Sequence, residues 1–537
     1  MRPMKMKNAL LKIQLLLAAI VAVASVTATA YAAAPGITGG GGGTATFSLT
    51  AQTSYLNQPD GSSVYAWGYG CNGAPAGFAP ASISPSSIGC PSMQVPGPTL
   101  IVTEGQTVTV TLTNGLPAAA GNTSILFPGF TVTTSGGVAG LLTQEAAPGG
   151  TVTYTFTASS PGTRAYYSGT QGDLQVEMGL YGAVIVLPAH VPAVCSAGLP
   201  VANPGGNALA QSTWGEPDAR LSLSAYDNPK TCYDREYLFQ FAEMDANIHN
   251  QALAQVTALA GCTAGNAGCS LSVPTEPYHP SYFMINGRSM PDLMDPNYAL
   301  EYPHQPYNGN PHMHPGEQVL LRVIGQGRWQ HPFHEHANHV RILGRDGNLI
   351  LSATDPNSLA GPLLFTTTTT PGLAFDGIFY FTGRGLNWDM YGHNPGSIDA
   401  AAKLTCTPDV DGYNTGSPKA INYYEWCQDH NKPLQAAPFG DVAAGGPVTL
   451  PDPDIFTNGV WYSGSPYLGP DATTRATGPT STFLPANFQG NPSNERGWAF
   501  MWHSHNEREI TTNNVFPGGM MMMMLVDSRE FVIDEQN

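Results

Sequence analysis

Six of the fourteen histidines fall in two short segments, "QHPFHEHANH" with His331, His334, His336 and His339, and "MWHSHNEREI" with His503 and His505. On a strand, residues two apart share a face, so His334 with His336, and His503 with His505, each present two imidazoles on one side. Two such strands side by side could offer four neutral imidazoles to one or two metal ions, a donor set suited to copper or zinc. The plainer reading is four polar histidines hydrogen-bonded at a strand edge. Glu335, Glu507 and Glu509 lie close enough in sequence to add oxygen donors, and Met520 opens a run of five methionines. That run is read as a core strand with Met520, Met522 and Met524 on one side, Met520 alone being a ligand candidate. His312 and His314 in "NPHMHPGEQ", with His304 nearby, precede a strand in a Pro-rich loop and are assigned to a rim or surface. The single histidines in "MDANIH" and "MYGHNPG" are given no chemistry.

The elements that must position these residues are strands. The chain has 537 residues, 11% of them charged, with 61 glycines and 46 prolines, a composition that favours an all-β, turn-rich protein of more than one domain. In "QVPGPTLIVTEGQTVTVTLTNGLP" Val108, Val110 and Leu112 alternate with threonines, and in "APGGTVTYTFTASSPGT" Val152, Tyr154 and Phe156 do the same, the pattern of half-buried sandwich strands. A second series runs through "EYLFQFAEM", "SYFMINGRSM", "EQVLLRVIGQ", "NHVRILGRDG" and "FDGIFYFTG" to "RGWAFMWHSH" and "GGMMMMMLVD". Thr366 to Thr370 reads as a further strand.

The expected organisation is a signal peptide at 1–32, a Gly-rich tether at 33–46, a first domain at 47–190, a linker at 191–230 and a second domain at 231–537. Insertions are placed near 245–280, with an Ala-rich helical piece, and near 384–494, packing as a cap or a third small module. Arg2, Lys5, Lys7 and Lys12 lead into the apolar run Ile13 to Val26, then small residues around Ala30 and Ala32, as in an export signal; the run is short for a membrane span. Export to a periplasm or the extracellular space follows, with no membrane span in the mature chain. The net charge of −17 argues against nucleic acid and anionic membranes as partners. Eight cysteines in an exported chain suggest disulfides, grouped by sequence proximity as Cys71 with Cys90, Cys195 with Cys232, Cys262 with Cys269 and Cys406 with Cys427, one connectivity among the many allowed.

These motifs together resemble the multicopper oxidases of the cupredoxin superfamily. "HPFHEH" is similar to the family's His-Pro-x-His-x-His, and "WHSH…PGGMM" to its terminal His-Cys-His motif with a later His and an axial Met. "GLYGAVIVLP" and "YFMINGRSMPD" resemble its framework. The resemblance implies two cupredoxin-like Greek-key β-sandwiches, the second with long insertions, and copper ligands at His331, His334, His336, His503 and His505, with His339, Glu509 and Met520 as weaker candidates. The departures limit it. Ser504 stands where the family has the thiolate of its blue centre, and a serine hydroxyl does not replace that soft anionic ligand. Glu509 stands where a second imidazole is expected. Leu126 and Pro128 in "TSILFPGF", and Tyr167 and Gly169 in "GTRAYYSG", stand at four first-domain ligand positions.

The resemblance therefore implies an exported multicopper-oxidase-like protein holding one copper, or zinc, through second-domain histidines, with at most limited oxidoreductase activity. A three-copper cluster cannot be assembled from this chain, and a homo-oligomer would not restore it. The alternative is a catalytically inactive extracellular structural or binding protein. A third option supplies electrons from a small partner cupredoxin or cytochrome; neither the substrate nor the electron donor is identified by the sequence.

Overall fold

The computed structural model describes residues 34–195, 219–381 and 497–527, apart from short gaps at 82, 84, 86–88 and 315–316, together with a few isolated positions and the strand Gly464–Tyr467. The expected signal peptide, the cysteines at 406 and 427, and most of the 384–494 insertion lie outside the described residues.

Two cupredoxin-like β-sandwiches make up the described chain. In the first, one sheet has the order Gly162–Tyr167, Tyr181–Leu187, Leu100–Thr103, Gly36–Thr38, Gly77–Ala79. The facing sheet has the order Ser63–Cys71, Thr44–Asn57, Thr107–Asn114, Thr151–Thr157, Thr133–Gly136. Alternation explains the layering: Val108, Val110 and Leu112 are fully buried, and they pair across the ladder with Phe156, Tyr154 and Val152. The threonines between them face outward, with two hydroxyls meeting at Thr111 and Thr153.

The glycine-rich stretch is not a tether. Gly36–Thr38 already pairs with Leu100–Thr103, and Gly39 to Gly43 form the turn that carries the chain from one sheet to the other. Thr46 N donates to Gly39 O, Gln106 Nε2 to Gly42 O and Thr107 N to Gly43 O. Gly40 and Gly42 have φ of 103° and 81°, a region that side chains with a Cβ rarely adopt.

In the second sandwich one sheet runs Tyr282–Ile285, Arg235–Met244, Gln318–Gly325, Ala374–Tyr380, Val340–Arg345, Asn348–Leu349. The other runs His312–Met313, Met521–Asp527, Gly497–Ser504, His331–Glu335, Thr366–Thr369, so both histidine motifs sit on adjacent central strands. Between the sheets Phe239, Phe333 and Trp502 meet edge to face. Met520, Met522 and Met524 complete this core on alternate positions. His312 and His314 are buried rather than placed at a rim.

The sandwiches share a polar bolt. Asp376 of the second accepts from Thr163 N at 3.0 Å, from the Thr163 hydroxyl at 2.5 Å and from the Tyr226 hydroxyl at 2.7 Å. Arg322 donates to Glu236 at 2.8 Å and to Thr163 Oγ1 at 3.2 Å. In a separate apolar contact between the sandwiches, Val64, Met93, Val95 and Tyr181 pack on Ala242, Met244 and Met284. The helix Ala246–Ala258, capped by Asp245 accepting from Asn247 N, turns Ile248 and Ala252 into the first core. Three of the expected disulfides form, Cys71–Cys90, Cys195–Cys232 and Cys262–Cys269. Among the described residues no helix is long and apolar enough to cross a membrane.

Candidate metal centre

The strand His331–Glu335 is antiparallel to Gly497–Ser504, with His334 opposite His503 and Phe333 opposite Ser504. Alternation sends His331, Phe333 and Glu335 to the core and leaves His334 facing out, with His336 just beyond the strand end. His503 is buried and His505 exposed. Four imidazoles gather as a result. Ring centroids lie 4.7 Å apart for His334 and His336, 4.9 Å for His334 and His505, 5.2 Å for His336 and His503, and 5.4 Å for His503 and His505.

Their protonation is set by environment. Burial, then the positive charge the neighbouring imidazoles would carry, pulls His334 and His336 down to about 4. Burial lowers His503 as well. His503 Nδ1 lies 2.7 Å from Ser504 O, and since a carbonyl only accepts, Nδ1 carries the proton and Nε2 keeps its lone pair. That Nε2 is 3.2 Å from Nε2 of His336. Two nitrogens bound at about 2.0–2.1 Å to one tetrahedral ion lie roughly 3.3 Å apart, so the pair spans the distance that one ion requires. As the side chains stand, no three His, Cys, Asp or Glu among the described residues are arranged to hold a metal ion. The rings are gathered without being disposed around one point, and His334 Nδ1 lies 2.7 Å from Thr366 Oγ1.

The other expected ligands are engaged elsewhere. His331 is fully buried, with Nδ1 2.8 Å from Glu509 Oε2 and Nε2 2.9 Å from Glu243 Oε2. Both ring nitrogens therefore donate, and none is left for a metal, which corrects the expectation for His331. Burial alone would lower this group, but the two carboxylates outweigh it and hold His331 up at about 9. Glu509 also accepts from the Ser504 hydroxyl and from Asn506 Nδ2, so its oxygens are taken too. Glu335 points into the core, where Thr367 donates to it and burial raises its carboxyl well above the usual range. His339 packs on Phe365.

Sequence reasoning missed Glu243. Its signal was a carboxylate near the end of "EYLFQFAEM", a strand that is buried along its whole length. Glu243 accepts from Arg328 N and Trp329 N as well as from His331.

Residues 84–190 match the family model described as Multicopper oxidase. Over this stretch, about a fifth of its length, the chain is similar to multicopper oxidases. No curated protein matches the sequence. Among solved structures, the blue copper oxidase from Nitrosomonas europaea is 15% identical, with 89% of this chain and 85% of that one covered at a TM-score of 0.42. The multicopper oxidase mgLAC is 14% identical over 90% and 85%, TM-score 0.42. The copper nitrite reductase from Nitrosomonas europaea is 19% identical over 63% and 84%, TM-score 0.35. All three are too distant for any residue to be carried across.

In the first sandwich, three of the four positions that the resemblance would give to ligands, Leu126, Tyr167 and Gly169, lie together. Leu126 bridges Tyr167, and a Cβ at Gly169 would press on the Leu126 side chain. They line a cleft of about 300 Å³ that meets the second sandwich at Gln326, Gly327 and Pro371. Pro371 lies beyond the end of Thr366–Thr369 that pairs with His331, so the cleft is at the opposite end of the strand from His334. Among the described residues the first sandwich thus contributes no imidazole to the cluster.

Proposed function

We propose that the protein is an exported, multicopper-oxidase-like protein that binds one copper ion through His334, His336, His503 and His505, with at most limited oxidoreductase activity. The observation that carries this reading is the 3.2 Å approach of His336 Nε2 to His503 Nε2 with two further imidazoles around it. Bound copper would supply one-electron redox chemistry, and zinc fits the same nitrogens. The chain's own part is to keep His334, His336 and His503 neutral by burial, to fix the His503 tautomer through Ser504 O, and to leave His505 open to solvent and to an external donor or substrate. Without a thiolate at 504 the copper has no blue-centre character. Export rests on the leader at 1–32, with 191–230 assigned as the linker between domains.

A second reading, a metal-free extracellular structural or binding protein, is favoured by one fact: His336 and His503 satisfy each other by a direct hydrogen bond. Metal analysis and electron paramagnetic resonance of copper-loaded, desalted protein separate the two. A nitrogen-ligated Cu(II) signal that disappears in His505→Ala supports the first; no retained metal leaves only the second.

A further inference from the structure

The buried core beneath the histidine cluster holds one fully bonded imidazole that no metal reading uses. His331 bridges Glu243, at the end of a central strand, and Glu509, in the short 3-10 turn Glu507–Ile510. On its far side Glu243 is pinned by two backbone amides, those of Arg328 and Trp329, and the Tyr278 hydroxyl reaches both Glu243 and Glu177 of the first sandwich. On its near side Glu509 takes the Ser504 hydroxyl and the Asn506 amide, and Asn506 N is 3.3 Å from Ser504 Oγ. Ser504 and Asn506 flank His505. The three-residue unit that carries the exposed imidazole is therefore held from below by a single carboxylate, and that carboxylate is held by His331.

Only a doubly protonated ring does this. A neutral imidazole has one N–H and would leave one of two buried carboxylate oxygens facing a lone pair. Removing the ring would leave Glu243 and Glu509 facing each other across its width with no donor between them, an arrangement that a buried site does not tolerate. We infer that His331 is a positioning residue: a buried internal cation, clamped by Glu243 and Glu509, that fixes the Ser504–Glu509 turn and so sets where His503 and His505 point. For its effect on copper this rests on the proposed metal reading; for the order of the turn it does not.

Hydrogen exchange of the metal-free full chain tests the clamp directly. In His331→Asn, amides of residues 503–512 are expected to exchange about tenfold faster or more, while the strand Thr107–Asn114 in the other sandwich keeps its protection. Imidazole added to His331→Gly is expected to restore protection in that segment and toluene, an uncharged ring without N–H donors, is not; equal rescue by toluene would show a purely space-filling role and overturn the inference. If His331→Asn does not fold, Ser504→Ala, which cuts only one bond to Glu509, carries the test. Wild-type exchange across 503–512 in whichever of these variants folds overturns the inference. Copper titration supplies the second arm: binding at least about tenfold weaker in His331→Asn with the stoichiometry retained supports it. Loss of a whole equivalent of copper would make His331 a ligand and overturn it. A wild type that binds no copper overturns the metal reading alone, and the exchange result still decides this one.

Discussion

His336 and His503 face each other Nε2 to Nε2 at 3.2 Å, although 167 residues separate them in the chain. Because Nδ1 of His503 is committed to Ser504 O, the facing nitrogen is the one left to ligate. His503→Ala and His336→Ala are each expected to weaken copper binding by more than about a hundredfold, since removing a ligand exceeds the usual loss from removing its outer support. Calorimetric titration of the folded variants checks this.

Protons compete with copper for the same nitrogens. Both His334 and His336 are lowered from 6.5 to about 4, so they remain neutral across the range in which an ordinary histidine gains its proton. Copper retention in equilibrium dialysis should stay level from neutral pH down to about 5 and fall near 4. A loss centred near 6.5 would show that these imidazoles are not shielded.

His331 has the opposite sign. Its folded value of about 9 lies above the ordinary 6.5, so its contribution to stability is complete below about 6.5 and disappears as pH rises through 9. A displacement of that size corresponds to a contribution on the order of 3 kcal/mol. Urea unfolding across this range should show wild type losing its advantage over His331→Asn as the solution becomes alkaline.

Asp376→Ala removes the acceptor shared by Thr163 and Tyr226 and leaves Arg322 buried with one carboxylate fewer. A destabilisation of about 3–5 kcal/mol is expected. Because Thr163 belongs to one sandwich and Asp376 to the other, the single unfolding transition should separate into two, which differential scanning calorimetry resolves.

What could be read in the sequence was local. Val108, Val110 and Leu112 declared a strand because a period of two needs no partner to be visible, and the same period placed Met520, Met522 and Met524 in a core. His334, His336, His503 and His505 were recognisable because two motifs of identical spacing suggested adjacent strands, and the sheet makes them neighbours. His331 was misassigned for a reason outside its own motif. Its partners Glu243 and Glu509 lie 88 and 178 residues away, and an imidazole that will be saturated by distant carboxylates looks the same in sequence as one that will bind metal. The glycine run misled similarly, since its backbone carbonyls are claimed by Gln106 and Thr107, far along the chain.

The pairing of His331–Glu335 with Gly497–Ser504 also sets a schedule. During synthesis the first two imidazoles emerge long before the second two, and a chain holding His334 and His336 alone offers an ion half of its donors. The strand that delivers the rest is itself flanked by Met521–Asp527, at the very end of the described chain. Contacts this far apart in sequence form late in folding. On the proposed copper reading, capture of the ion is confined to the finished molecule, and any factor that supplies it must meet a completed fold rather than a nascent one.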